Sequence, residues 1–441
     1  MRDLKRAAVL FLMAGAACAP GRREIPEMTP GSVAAPPKPD DAEIRAAAEK
    51  HLPFAMELYR HFHANPELSY QEVKTAARLA AEWRSAGWDV VEKIGGTGVA
   101  AFLKNGSGPV LLVRIDMDAL PVKEETGLPF SATGDVMHAC GHDLHLSAGA
   151  GLAKMLADLK SRWSGTAILI GQPAEELGTG SKRMIEDPAF DKFIARAGTP
   201  TWCLSIHDSN ELPGGSVGVC PGWACANVDT IDLTVFGKGG HGARPEQTVD
   251  PIVIASEIVL SLQTIVSRKI KPGTPAVVTV GSIHAGTKHN IISSEARLQL
   301  TVRSYEDSVR ERLLAEIRRI AEQVAAAHGA PMAPEMKIDP EYCPAGYNDP
   351  TLSGRMSGVF IRMLGEDRVR TMAPVMGGED FGRFGKRFGV PSLQYMVGAV
   401  DPSRMGTEIP PLHSSRWAPA AEPALKTALV TLGAAALDLL R

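Results

Sequence analysis

The 441-residue sequence predicts an α/β protein with a mixed central sheet flanked by helices, interrupted by a smaller inserted α+β domain. Three observations support this fold class. Short runs rich in Leu, Ile and Val alternate with helical patterns in the first half of the chain. The pattern becomes polar/apolar alternation near Val228, and the first pattern returns near residue 336. The length exceeds the size at which a single core stops growing, so two domains are expected.

The first part of the main domain is predicted over residues 41–226. Two helices, 42–62 and 71–86, lead into four strands, 98–103, 110–115, 166–170 and 201–206. Polar residues directly follow three of these strands: Asp116 and Asp118, Glu175 and Glu176, and His207. In α/β sheets, ligands gather beyond the carboxyl ends of the strands. We therefore expect these side chains to share one edge of the sheet.

The inserted domain is predicted over residues 227–335. A strand at 228–235 and a helix at 250–267 precede strands at 276–283 and 296–302 and a helix at 306–328. A last strand near 336–338 completes a β-α-β-β-α-β order, which is ferredoxin-like. The main domain then resumes over 336–441, with a strand near 394–397 and a closing helix at 423–440.

The N-terminus has the layout of a bacterial secretory signal. Basic residues come first, an apolar stretch spans 7–17, and small residues precede Cys18. We expect residues 1–18 to be the signal and the proline-rich residues 19–40 to be a linker. Ordinary cleavage and a lipid anchor on Cys18 both remain open. The predicted location is the periplasm, with membrane anchoring as the alternative.

The overall charge gives no sign of binding to nucleic acid or to an acidic membrane surface. The chain has 47 Lys and Arg against 50 Asp and Glu, with no long run of either sign. A small-molecule substrate is therefore expected. Six cysteines in an exported chain could form disulfides, but a domain of this size does not need them, so no disulfide framework is predicted.

Two motifs carry the chemistry. The first is the segment 137–145, with Cys140 and His142 two residues apart in a glycine-containing turn, a spacing that suits zinc-like ions. The second is the adjacent pair Glu175 and Glu176, in which one carboxylate can bind a metal while the other takes a proton from water. A solvated pair of glutamates at a helix start is the alternative. His207 and His413 alone would be read as structural residues.

Together these motifs resemble the metal-dependent amidohydrolase and aminoacylase family that includes hippurate hydrolases and indole-acetyl-amino-acid hydrolases. Carboxypeptidase G and succinyl-diaminopimelate desuccinylase are more distant relatives. The resemblance spans roughly residues 45–430 and rests on six segments: 60–69, 116–121, 138–143, 172–176, 237–242 and 379–381.

The resemblance implies a zinc-peptidase-like catalytic domain with a ferredoxin-like lid that also serves dimerisation. It further implies two divalent metal ions per subunit, zinc, manganese, cobalt or nickel, in a homodimer or homo-oligomer. The residues carried over are the ligands Cys140, His142, Glu176, His207 and His413, the general base Glu175 and the orienting carboxylate Asp118. His241 would polarise the scissile carbonyl of the partner's substrate, and Asn290 and Arg303 are candidate substrate contacts.

The expected reaction is hydrolysis of the amide bond of an N-acyl amino acid or small peptide. Two departures from the family pattern lie near the substrate side: Asp208 follows His207, and Ser293 ends the segment that begins at Asn290. They leave the acyl group and the roles of Asp116 and Asp208 open. A di- or carboxypeptidase is the alternative within enzymes, and a non-catalytic metal- or peptide-binding protein is the alternative from another class.

Overall fold

The computed structural model describes residues 40–441, and its elements follow the predicted order. The ten helices of the described chain are α1 (Asp41–Ala64), α2 (Val73–Ser85), α3 (His142–Asp158), α4 (Gly180–Glu186), α5 (Pro188–Ala197), α6 (Pro251–Thr264), α7 (Asp307–Ala327), α8 (Pro350–Leu364), α9 (Gly382–Phe388) and α10 (Ala421–Leu439). The strands are β1 (Asp89–Ile94), β2 (Gly98–Asn105), β3 (Val110–Asp116), β4 (Gly165–Gln172), β5 (Trp202–Pro213), β6 (Val217–Val219), β7 (Gly222–Cys225), β8 (Asn227–Phe236), β9 (Gly240–His241), β10 (Ala276–Ala285), β11 (Ile291–Ile292), β12 (Glu295–Ser304), β13 (Glu335–Ile338), β14 (Gly346–Asn348), β15 (Val369–Thr371) and β16 (Ser392–Val400).

The main domain is built on an eight-stranded mixed sheet with the order β1-β2-β4-β3-β5-β16-β6-β15. The four central strands β4, β3, β5 and β16 are parallel. β2 pairs antiparallel with both β1 and β4, and β6 pairs antiparallel with β16. The predicted mixed central sheet is confirmed, and its parallel centre directs several carboxyl ends to one edge.

Helices cover both faces of this sheet because successive strand residues point to opposite sides. In β4, Ala167 and Leu169 contribute to the core under α1, α3 and α10, whereas Ile168 and Ile170 contribute to the core under α4, α5 and α9. A strand buried on both faces reads as a continuous apolar run, as is typical of parallel sheets. The first of these cores also includes buried residues of α2 and α8.

The inserted domain has a four-stranded antiparallel sheet with the order β10-β12-β8-β13. With α6 between β8 and β10 and α7 between β12 and β13, this is the predicted ferredoxin-like order. The two helices pack against the sheet through a core of their own. β13 matches the last strand predicted near 336–338, and its pairing with β8 as far as Ile231 extends the inserted domain past the predicted domain boundary at residue 335.

The first described residue, Asp40, is the N-cap of α1. Its side chain accepts a hydrogen bond from the amide of Ala42, and Glu43 accepts one from the amide of Asp40, which forms a capping box. The predicted signal, Cys18 and all but the last residue of the predicted linker lie outside the described residues. The five cysteines of the described chain are free thiols.

Candidate metal centre and active site

The carboxyl edge of the parallel strands carries the polar residues that the sequence singled out. Asp116 is the last residue of β3, and Glu175 and Glu176 follow β4. His207 was expected just after the fourth strand, but it lies within β5, opposite Met396 of β16. β5 runs to Pro213 because its pairing with β16 continues past the apolar run that predicted it.

A tight turn brings Cys140 and His142 to the same edge. Gly141 between them has φ +75°, a left-handed conformation that favours glycine, and His142 is the first residue of α3. A Cβ atom on Gly141 would lie 2.5 Å from Cγ of Asp208. Both the backbone conformation and the close approach of Asp208 therefore require glycine here.

The five predicted ligands lie together. Sγ of Cys140 is 3.5 Å from Nε2 of His207, and Nε2 of His142 is 3.9 Å from Oε1 of Glu176. Nε2 of His413 is 3.5 Å from Oε2 of Glu176. Two overlapping groups could each hold a cation: Cys140, His142 and His207, and Cys140, Glu176 and His413. His413, at φ +68°, has the most exposed side chain of the five.

Hydrogen bonds fix how two of the imidazoles face this cluster. Nδ1 of His142 donates to the backbone oxygen of Asp118 at 2.8 Å, and Nδ1 of His207 donates to that of Asp208 at 2.8 Å. Each ring therefore carries its proton on Nδ1 and presents the lone pair of Nε2 to the cluster.

Two buried atoms of the cluster lack hydrogen-bond partners within the described chain: Nε2 of His142 and Oε1 of Glu176. Such groups are costly to bury unless something binds them. Both are acceptors, so a cation fits them, and the mixed thiol, imidazole and carboxylate set suits divalent transition metals.

Electrostatics also point to a cation. Burial, reinforced by the negative charges of Glu379 and Glu176, raises the pKa of Glu175 well above its usual range. Burial and the charge of Glu176 likewise raise the pKa of the Cys140 thiol. Several carboxylates therefore crowd this site, and divalent ions would offset their negative charge.

Asp118 holds the segment that carries the two glutamates. The backbone amides of Glu175 and Glu176 each donate to its carboxylate at 3.1 Å, and the Ser69 hydroxyl donates at 2.7 Å. Ala174 precedes them with φ +49°, a strained conformation for a residue with a side chain. Asp118 thus positions both the predicted base and one predicted ligand.

Sequence reasoning missed a second group of buried charges behind the cluster. Arg114 on β3 donates to Asp116 at 2.7 Å and to Glu379 at 2.9 Å, and it contacts Asp380 at 3.3 Å. Asp116 in turn binds Nδ1 of His145 at 2.6 Å. The available signal was an arginine inside the otherwise apolar run 110–115, since a charge in a buried strand needs partners there.

A cavity of about 730 Å³ opens over the cluster. Its lining includes Glu175, Arg303 and four of the five predicted ligands: Cys140, Glu176, His207 and His413. His241 and Asn290 do not contribute to it. Both are exposed on the inserted domain, where His241 on β9 pairs with Ile291 on β11. Within one chain the structure therefore brings Arg303 to the site, but not His241 or Asn290.

This fold and this buried donor cluster define a metal-dependent hydrolase of amide bonds. The chain belongs to the peptidase family M20/M25/M40, whose family model matches residues 112–425. The resemblance expected from the sequence motifs is thereby confirmed.

Several relatives show the range of this family. The chain is 36% identical over 325 residues to N-acetylcysteine deacetylase of Bacillus subtilis, covering 73% of this chain and 82% of the relative. It is 35% identical to thermostable carboxypeptidase 2 of Saccharolobus solfataricus (82% and 89% covered) and 37% identical to hippurate hydrolase of Campylobacter jejuni (74% and 84% covered).

A solved structure from Bacillus subtilis, described as a dinuclear metal-binding peptidase of family M20, superposes with a TM-score of 0.74. It is 29% identical, and the match covers 89% of this chain and 99% of the other. This likeness confirms the predicted zinc-peptidase-like fold with its inserted domain.

Proposed function

We propose that this protein is a dinuclear-metal amidohydrolase that cleaves the amide bond of N-acyl amino acids or small peptides. The observation that carries the proposal is the convergence of unpartnered acceptors, Nε2 of His142 and Oε1 of Glu176, with the thiol of Cys140 in one donor cluster, of which Cys140 and Glu176 line the cavity. The hippurate hydrolase and N-acetylcysteine deacetylase relatives support the acyl amino acid as substrate class.

Cys140, His142, Glu176, His207 and His413 would hold the two ions. The solved relative described as dinuclear supports this number, and the mixed donor set accepts zinc, manganese, cobalt or nickel. Bound divalent ions supply Lewis acidity, which polarises an amide carbonyl and lowers the pKa of water from about 16 to about 7.

Glu175 is the proposed general base. It adjoins Glu176, its backbone amide is held by Asp118, and it lines the cavity. In this role it takes a proton from the attacking water and passes it to the departing amine. A carboxylate that stays outside the ligand set is free for that transfer.

Arg303 is the proposed partner of the substrate carboxylate. It is the one Arg or Lys in the described lining of the cavity. Its Nη1 donates to the backbone oxygen of Met376 at 2.7 Å, which leaves other N–H groups for a ligand. A guanidinium binds a carboxylate with two parallel hydrogen bonds, so it would orient the amino-acid end of the substrate.

The test is release of free amino acid from a panel of N-acetyl, N-benzoyl and indole-acetyl amino acids and dipeptides by metal-loaded protein. Glu175→Gln should keep two metal ions and lose about 10²- to 10⁴-fold in turnover. Glu186→Gln, the same change at an exposed site on α4, is the control and should match wild type. Near-normal turnover by Glu175→Gln would reject its role as base.

A carboxypeptidase of the same fold is the second candidate, favoured by the carboxypeptidase relative. The dipeptides in the panel separate the two, because a carboxypeptidase would turn them over faster than the acyl amino acids. Two bound metals without turnover of any compound would instead support a non-catalytic binding protein.

A second copy of this chain is the proposed macromolecular partner. His241 and Asn290 lie side by side on the inserted domain, where the amide of Gly242 donates to the backbone oxygen of Asn290 at 2.9 Å. In the same domain α6 exposes Val253 and Leu260, the latter by 71%, and β10 is an edge strand. An apolar helix face beside an open sheet edge suits a symmetric dimer, in which His241 would reach the partner's cavity and polarise the carbonyl.

We also propose that the protein is exported to the periplasm, with either a cleaved signal or a lipid on Cys18. The basic, apolar and small-residue layout of residues 1–18 supports export. The mass of the mature N-terminal peptide from cell fractions separates the two forms. An intact N-terminal Met1 segment on the cytoplasmic protein would contradict export.

A further inference from the structure

Asp208 has no role in the reaction proposed above, although it lies beside a predicted ligand. It is fully buried on β5, directly after His207. Sequence reasoning marked it as a departure from the family pattern, in which an aliphatic or aromatic residue often follows this His. A buried carboxylate without function would be costly, so its contacts need an explanation.

The contacts of His207 repeat those of His142. Nδ1 of His142 lies 2.8 Å from the backbone oxygen of Asp118 and 3.4 Å from its Oδ1. Nδ1 of His207 lies 2.8 Å from the backbone oxygen of Asp208 and 3.3 Å from its Oδ1. Each imidazole therefore faces the carbonyl and the carboxylate of one aspartate.

We propose that Asp208 is a positioning residue for His207, the counterpart of Asp118 for His142, and that its negative charge strengthens metal retention at this centre. The inference rests on the proposed metal-binding function. A carboxylate behind a ligand imidazole fixes the ring and makes its free nitrogen a better donor. Asp208 adds this support on the side of the cluster where the family pattern has an apolar residue.

Trp417 and Gly141 determine where the Asp208 carboxylate lies. Nε1 of Trp417 donates to Oδ2 at 3.2 Å, and Gly141 leaves room for the group by lacking a Cβ atom. Oδ1 has no hydrogen-bond partner within the described chain, and Nε2 of His145 lies 3.5 Å from it without donating to it. The carboxylate thus lies between Gly141 in the turn from Cys140 to His142, strand β5 itself, and Trp417 in the segment before α10.

His145 links this aspartate to the buried charges behind the cluster. Its Nε2 accepts from the backbone amide of Asp208 at 2.8 Å, and its Nδ1 donates to Asp116 at 2.6 Å. Both ring nitrogens are therefore in use. His145, His207 and Asp208 are close enough to hold a cation. Because both nitrogens of His145 already have hydrogen-bond partners, we assign the three residues to positioning and not to a third metal site.

The test is zinc binding, measured by competition with a chromogenic chelator and by metal content. Asp208→Asn keeps the backbone carbonyl and nearly the same shape but removes the charge. It should bind two zinc ions about 10- to 100-fold more weakly. Trp417→Phe, which removes one donor to the carboxylate, should weaken zinc binding by less.

Asp229→Asn is the matched control. Asp229 is equally buried, but it pairs with Arg310 in the inserted domain. Its substitution should leave zinc affinity unchanged. In the cobalt-substituted protein, Asp208→Asn should also shift the visible absorption spectrum, whereas Asp229→Asn should not.

Equal zinc affinity and unchanged cobalt spectra for Asp208→Asn and wild type would overturn the inference. Loss of one ion from the stoichiometry would overturn it as well, because Asp208 would then be a ligand. Failure of wild type itself to bind zinc would instead reject the proposed function. The two failures are therefore distinguishable without an activity measurement.

Discussion

Arg114 is the residue on which the buried charges of the site depend. Its side chain is fully buried, and its guanidinium contacts three carboxylates, Asp116, Glu379 and Asp380. It also donates from Nε to Gln172 at 2.9 Å, at the end of β4. Because the charges lie in the protein interior, solvent cannot replace the arginine if it is removed.

Arg114→Met should therefore destabilise the metal-free protein by about 3–5 kcal/mol, since it leaves buried carboxylates without their partner. Urea unfolding monitored by tryptophan fluorescence measures this change in the free energy of unfolding. Arg355→Met is the control, because Arg355 forms a partly exposed pair with Asp438 and should lose less than about 1 kcal/mol. Equal losses in the two variants would contradict the importance assigned to the buried network.

At the scale of single residues, the sequence predicted the candidate metal ligands and the base better than the buried residues that position them. Cys140, His142, Glu175 and Glu176 stand in dense polar motifs, so residue type and spacing marked them. The contacts of Arg114, His145 and Asp208 join residues that are distant in the chain, such as Asp208 and Trp417. A local sequence pattern cannot contain a pairing between distant residues. The roles of these residues could therefore be recognised only once the fold was known.

At the scale of elements, the strands of the main sheet that the sequence predicted are largely buried on both faces. β3 and β4 read as apolar runs because helices cover both sides of the sheet. β1 was missed because it is an edge strand of mixed composition, with Asp89 and Lys93 exposed. Short elements such as α4 and β6 were missed too, since tertiary contacts and not periodicity define them.

The segment between β4 and α4, which carries Glu175 and Glu176, is held by residues from several elements. Asp118, after β3, binds the amides of Glu175 and Glu176 on one side. On the other side Asp380 accepts from Nε2 of Gln172 at 2.6 Å and from the amide of Ser181 at 2.9 Å. The predicted base is thus fixed from both ends, which is the preorganisation that proton transfer requires.

At the scale of the whole molecule, the inserted domain supplies Arg303 to the cavity of its own chain but holds His241 and Asn290 outside it. The order of the four strands of its larger sheet could be read from the sequence, with bounds correct to within two residues, whereas the short strands β9 and β11 were not predicted. The destination of the His241 side chain could not, because in the proposed dimer it depends on a second chain. The proposed dimer is therefore the part of the site that needs a direct test.

Complementation between two inactive variants provides that test. In a dimer that exchanges His241, a His241→Ala chain paired with a Glu175→Gln chain contains one complete site: the first chain's Glu175 with the second chain's His241. Each variant alone should be nearly inactive. Co-expression should restore about a quarter of wild-type activity, because random pairing gives half mixed dimers with one active site in two.

The control pairs His241→Ala with a chain carrying both substitutions, which offers no complete site and should stay inactive. Leu260→Asp, added to both complementing chains, places charge on the exposed face of α6 and should abolish the rescue by separating the dimer. If His241 acts within its own chain, the mixture stays as inactive as its components. Full activity of His241→Ala alone would show that this histidine does not take part in the reaction, whatever the assembly.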